Sequence, residues 1–134
     1  SHAIPAIIKK IHHAKKHNLK SIHLWGDGTP TRDFLYVDDA AEGIILAAEK
    51  YDKSEPINLG TGIEISIKEL AELTMKLMNM DLTIEWETEK PNGQPRRCVS
   101  FEKAEKEIGF KPQMNFEEGL KNTIDWFLDN QNTF

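Results

Sequence analysis

The chain contains three arginines, Arg32, Arg96 and Arg97, and all of them fall in stretches rich in Gly and Pro, WGDGTPTRDF and KPNGQPRR. The other 14 of its 17 basic residues are lysines spread along the chain. A guanidinium is a planar fork that meets two phosphate or carboxylate oxygens at once, whereas an ammonium is a point charge. Confining arginine to two loops is therefore what a compact anion site requires, although three arginines gathered by accident on a solvated surface would read the same way. Trp25 opens the first loop and Arg32 closes it, so a turn between them would set an aromatic face beside a guanidinium. His12, His13 and His17 raise a metal site, since residues four apart on a helix can share an ion. No Cys, Asp or Glu lies near them, and exposed histidines on a lysine-rich helix are usually only solvated. His2 stands apart from that helical face.

These residues need elements to hold them. Residues 22–25 and 34–37 have the β-branched and aromatic content of strands, and Gly26, Asp27, Gly28 and Pro30 punctuate the interval, so the stretch 25–39 reads as a hairpin-like connection. Asp38 and Asp39 then read as the N-cap of a helix running to about Tyr51. Upstream, residues 1–18 carry Ile4, Ile7, Ile8 and Ile11 at spacings of three and four behind Pro5, an amphipathic helix with one basic face. Downstream, Ile57 to Leu59 reads as a short strand ended by Gly60, Thr61 and Gly62. That GTG lacks the spacing of a dinucleotide fingerprint and marks a close backbone turn. Ser66 and Glu69 form a capping box for a helix whose buried stripe includes Leu70, Ala71, Leu73 and Leu77. Met75, Met78 and Met80 read as core filling.

Leu82 to Trp86 alternates as a strand with one wet face, and 90–97 is a second irregular loop. Two helices close the chain, one capped by Ser100 and ending at Gly109, the other opened by Asn115 and Glu118 as a capping box. Residues 131–134 should fray. The architecture implied is α/β, a small mixed sheet with several helices.

Bulk properties narrow the class. A chain of 134 residues suffices for one domain that removes roughly two-thirds of its unfolded surface from water. A net charge of -5 disfavours nucleic acid, which asks for a broad basic face. No apolar run approaches the roughly 20 residues of a membrane span, and no leader pattern heads the residues given. The lone Cys98 excludes an internal disulfide and fits a reducing compartment, so the cytoplasm is the expected location.

Taken in order, SHAIPAIIKK, WGDGTPTRDFLYVDDAA, INLGTG, SIKELAE, KPNGQPRR and FEEGLKNTIDWFLDN resemble the C-terminal, substrate-binding part of the GDP-L-fucose synthases. These are NADP-dependent epimerase-reductases acting on GDP-4-keto-6-deoxymannose, in the NAD-dependent epimerase/dehydratase group of the extended short-chain dehydrogenase/reductase superfamily. The resemblance covers residues 1–130 as one nucleotide-sugar-binding domain. The RDF-hydrophobic-VDD and NLGTG pieces are shared across that superfamily, while SHxIPA and KPxGxPRR are narrower. Its glycine-rich NAD(P) turn, GxxGxxG, and its Tyr-x-x-x-Lys are not in this sequence: Tyr36 and Tyr51 are followed four residues later by Ala40 and Glu55. NADP or NAD would therefore belong to an absent N-terminal Rossmann part, and this segment alone would bind no cofactor and transfer no hydride.

The resemblance also implies roles for particular residues. Arg32 and Arg97 would hold the diphosphate and ribose of a nucleotide sugar, with Lys10 standing where the family usually has an arginine. Arg97 stands where some members have lysine. Trp25 would pack against the ligand, and His2 would be the acid of the epimerisation step, partnered by a cysteine from the absent part. Imidazole suits that work because its pKa lies near neutrality. Cys98 would be a small buried filler. A fold lacking its other half would expose a sheet edge and an apolar face, giving self-association or strand exchange. Two alternatives remain at this stage: a segment of another UDP- or dTDP-sugar epimerase or dehydratase, and a binding or assembly module without chemistry.

Overall fold

The computed structural model describes residues 3–97 and 102–130. His2, Cys98, the Ser100 cap and the tail 131–134 lie outside the described residues, and of Arg97 only the backbone is described.

Apolar residues every three or four positions roll 3–16 into α1 (Ala3–Lys16), which buries Ile7, Ile8, Ile11 and Ala14. Asn18 ends it in the left-handed region at φ 54°. The amides of Asn18 and Leu19 donate to the carbonyls of Lys15 (3.4 Å) and Ala14 (2.9 Å), the two bonds of a Schellman turn. The chain runs directly on into β1 (Ser21–Trp25). The same device recurs after Ser66 and Glu69 close the expected capping box on the helix Ile67–Leu77. Asn79 takes φ 56°, the amides of Asn79 and Met80 donate to Lys76 and Met75, and the strand Thr83–Glu87 follows. Two helix–Asn–strand units thus stand side by side, with their strands parallel in the register Ser21↔Thr83 to Trp25↔Glu87. Ile22 and Leu24 face inward and join Leu70, Met75 and Met78 in the main core.

This pairing replaces the expected hairpin. Gly26 and Gly28, at φ 78° and 82°, turn the chain off β1. The carbonyls of Gly28 and Pro30 then accept the amides of Lys68 and Ile67 at the start of the capped helix. The next strand, β2 (Thr31–Arg32), therefore enters a separate three-stranded sheet, between β3 (Ile65–Ser66), antiparallel to it, and a parallel strand Arg96–Arg97. With Thr83–Glu87 as β4 and Arg96–Arg97 as β5, the two sheets are β1-β4 and β3-β2-β5. Residues 34–36 form no strand: Tyr36 is the N-cap of α2 (Val37–Lys50), so Asp38 and Asp39 lie in its first turn and cap nothing. Ile57 to Leu59 is likewise unpaired and packs its apolar side chains into a second cluster with Ala104, Ile108 and Phe110.

The helix Ile67–Leu77 is α3, Glu102–Ile108 is α4 and Phe116–Asp129 is α5. Asn115 caps α5 by accepting the Glu118 amide at 3.2 Å, and Leu120, Ile124 and Phe127 carry its buried face into the main core. The methionines behave as core filling, with Met75 and Met78 buried and Met80 packed against them.

Candidate functional site

Two loops build the site by binding each other. The Asp27 amide donates to Asn92 Oδ1 at 2.8 Å, the Thr31 amide to the Pro95 carbonyl at 2.9 Å, and Arg32 Nη1 to the Gln94 carbonyl at 2.7 Å. Beneath these bonds β2 and β5 pair with Arg32 opposite Arg97. Both loops turn on glycines in the left-handed region, Gly26 at φ 78° and Gly93 at φ 81°, and a Cβ on Gly26 would also stand 1.8 Å from Asn92 Oδ1 and 3.1 Å from Asn92 Cα. Inside the first loop the Asp27 carboxylate accepts the Thr29 hydroxyl (2.7 Å) and amide (3.0 Å). The hydroxyl bond, then the amide bond, holds the Asp27 carboxyl below its ordinary pKa.

Arg32 is half-buried, and its Nη1 also donates to its neighbour's carbonyl, Thr31 O, at 2.7 Å. Two carbonyls on one nitrogen fix the plane of the guanidinium before any ligand arrives. That is the preorganisation an anion site needs, because less freedom is lost on binding. Arg32 faces an open groove of about 1780 Å³ whose wall runs from the first turns of α1 past Trp25 and Asn92 to the segment before α5 and the outer face of α5. Lys10 and Trp25 line the same groove. Trp25 is 59% exposed, and Lys90 Nζ lies 5.7 Å from its ring centroid. The groove thus joins the held Arg32 guanidinium and the exposed Lys10, an exposed aromatic face and apolar wall residues such as Ile4 and Phe34.

Two residues hold this groove together in roles the sequence reading does not give them: it passes over Asp33 and takes Asp39 as a helix cap. The Asp33 carboxylate accepts the amides of Thr61 (3.1 Å) and Gly62 (3.0 Å) and the Thr61 hydroxyl, which welds the GTG turn to the end of β2. Asp39 is 6% exposed and accepts the amides of Gln113 (3.1 Å) and Met114 (3.0 Å), tying the start of α2 to the chain entering α5. The signal available for each was an acidic residue beside a turn, with no partner nearby in sequence to name. The histidines at the end of the first helix have different surroundings: the His13 and His17 ring centroids lie 4.3 Å apart with the planes tilted at 49°, while His12 meets the edge of Phe127.

Residues 1–60 match the NAD dependent epimerase/dehydratase family. A probable GDP-L-fucose synthase 1 from Oryza sativa subsp. japonica is 39% identical over 130 residues, which is 97% of this chain and 39% of the relative. The GDP-L-fucose synthase of Escherichia coli (strain K12) is 36% identical, over all of this chain and 44% of its own. Among solved structures, a GDP-L-fucose synthetase from Naegleria fowleri bound to NADP superposes with a TM-score of 0.89 at 29% identity, covering 99% of this chain and 42% of that one. A UDP-glucose 4-epimerase from Thermotoga maritima with UDP-glucose gives 0.85 at 26%, covering 98% and 40%. The chain spans about two-fifths of the length of the relatives it matches. By sequence and by fold, the chain is similar over nearly its whole length to part of the GDP-L-fucose synthases, and its first 60 residues match the NAD dependent epimerase/dehydratase family.

Proposed function

We propose that this chain is the nucleotide-sugar-binding segment of an NAD(P)-dependent epimerase-reductase, acting on a GDP-4-keto-6-deoxyhexose as the GDP-L-fucose synthases do. One observation carries the reading: Lys10, Trp25 and Arg32 line a single open groove, and the strand holding Arg32 is hydrogen-bonded to the strand holding Arg97. In this reading Arg32 and Arg97 take the oxygens of the diphosphate and ribose, Lys10 adds a point charge at the groove wall, and the Trp25 face packs on the ligand. His2 donates the proton of the epimerisation step. NADP or NAD, when bound by the remainder of a full-length protein, supplies the hydride chemistry. The residues here fit no such group, because the sequence has neither the glycine-rich turn nor the Tyr-x-x-x-Lys of that chemistry. By itself the segment binds and orients a sugar nucleotide and turns nothing over.

The test is calorimetric titration of the chain with GDP, UDP and dTDP, repeated for Arg32→Ala and Arg97→Ala. Saturable binding strongest for GDP is expected, weakened roughly tenfold or more in each variant, the scale of a lost charge-assisted pair. Preference for UDP or dTDP would redirect the reading to another sugar-nucleotide epimerase. Equal, feeble responses to all three, unchanged by either substitution, would overturn it for the isolated segment.

A further inference from the structure

We infer that Asp33 is a positioning residue for the anion site: it locks the turn at residues 60–62 onto the end of β2, and so fixes the direction in which Arg32 enters the groove. The inference rests on the sugar-nucleotide reading of the groove for its consequence, but its geometry stands by itself. A carboxylate next in sequence to an anion-binding arginine poses an electrostatic problem, because it repels the ligand's charge and competes for the guanidinium. Asp33 accepts the amides of Thr61 and Gly62 and the hydroxyl of Thr61, so its negative charge is met by donors of the opposite wall. Gly62 then takes φ 74°, the left-handed conformation by which the chain turns on from the bound amides toward Ile63. The Thr61 hydroxyl also accepts the Ile63 amide at 3.1 Å, which carries the lock one residue further toward β3.

The consequence follows the backbone. Arg32 pairs with Ile65 of β3 on one side and with Arg97 of β5 on the other. Those strands are only two residues long, too short to hold their own register firmly. Asp33 supplies the missing anchor at the residue where β2 ends, and both Asp33 and Thr61 line the groove wall with Arg32. Three donors on one carboxylate also explain why an aspartate is needed. An asparagine would offer one oxygen and turn an NH2 group toward amides that are themselves donors.

The test is nitrogen-15 NMR of the chain with Asp33→Asn, Thr61→Val and Thr61→Ser, reading the Arg32 Nε–Hε signal and the exchange protection of the Thr61 and Gly62 amides, together with GDP titration. For Asp33→Asn the expected result is a displaced Arg32 signal, protection at 61 and 62 lost, and GDP affinity down roughly tenfold or more. Thr61→Val moves each readout in the same direction by less, and Thr61→Ser, which keeps the hydroxyl, restores them. A merely structural aspartate would lower the melting temperature while leaving the Arg32 signal and the affinity unchanged, and that outcome overturns the inference. Should the unsubstituted chain bind no GDP, the GDP-sugar reading fails while the Arg32 signal still decides the positioning role.

Discussion

A carboxylate in this protein acts through the donors it collects, and the residues around the groove differ in how much of that was readable beforehand. Arg32 and Trp25 could be singled out because their types and their places at the two ends of a Gly- and Pro-rich stretch carry the chemistry, whereas Lys10, on α1, was named only through the family resemblance. Asp33 and Asp39 could not, since the donors that define them stand at Thr61 and at Gln113 and Met114, too far along the chain for any local pattern to connect. Asp27 is the short-range case, with both of its Thr29 donors two residues away. Its carboxyl is held below the ordinary value of 3.8, first by the Thr29 hydroxyl and then by the Thr29 amide. A depressed carboxyl pKa contributes its stabilisation above the unfolded value and loses it as pH falls through the folded one. The turn carrying Trp25 toward Arg32 should therefore stay closed at neutral pH and loosen only in acid below that ordinary value. Carbon-13 titration of the Asp27 carboxyl is expected to give a midpoint below 3.8 in the native chain and a return toward it in Thr29→Ala. An unshifted midpoint in the native chain would remove the acceptor role argued for Asp27.

Elements were legible where their signal was local. The apolar spacing of α1 and α3, the Ser66 box and the Asn115 cap are contained within one or two turns of chain and formed as expected, except that at α5 the Asn115 oxygen accepts the Glu118 amide without the reciprocal bond of the expected box. The hairpin did not, because strand content says that a segment will pair and not with what. Ser21 to Trp25 found its partner in Thr83 to Glu87, beyond α2 and α3, and the glycines taken as a hairpin turn instead deliver the chain to the start of α3. Ser66 shows how densely these elements are joined. It sits opposite Thr31 in β3, and its hydroxyl accepts the Glu69 amide at 3.0 Å as the cap of α3. Ser66→Ala removes that acceptor and leaves an amide of the first turn unpaired, a loss of about 1 kcal/mol, or roughly 3–5 °C in melting temperature for a chain of this size. Thermal unfolding by circular dichroism measures it, and Ser66→Asp, which keeps a capping oxygen, should recover most of the loss. A melting temperature unchanged by Ser66→Ala would mean that pairing with Thr31 alone sets the start of α3.

At the scale of the whole molecule, α2 faces two ways. Leu46 and Ala47 join the cluster around Phe110, and Gly43 is so close to it that a Cβ would stand 2.9 Å from the Phe110 ring. The opposite side exposes Val37 at 69%, Ile44 at 62% and Ile45 at 58%, with Ala41 and Ala48 continuing the stripe at helical spacing. Burying an isoleucine is worth about 1.5–3 kcal/mol, so a helix that leaves two of them in water has a strong tendency to cover them. The relatives this chain matches are more than twice as long as it is. The segment studied alone should satisfy the stripe with another copy of itself. Sedimentation velocity is expected to show association that grows with concentration, and Ile44→Glu combined with Ile45→Lys should abolish it. Both replacements are good helix formers with opposite charges, so α2 and the net charge are preserved. The second cluster lies on the other side of the helix, and thermal stability should change little. Association that survives the double substitution would point to the open edges of the β1-β4 pair, where strand addition needs no side chain of α2. A native chain that stays monomeric at every concentration would show that the stripe tolerates water, and the association argued from Ile44 and Ile45 would then lose its physical basis.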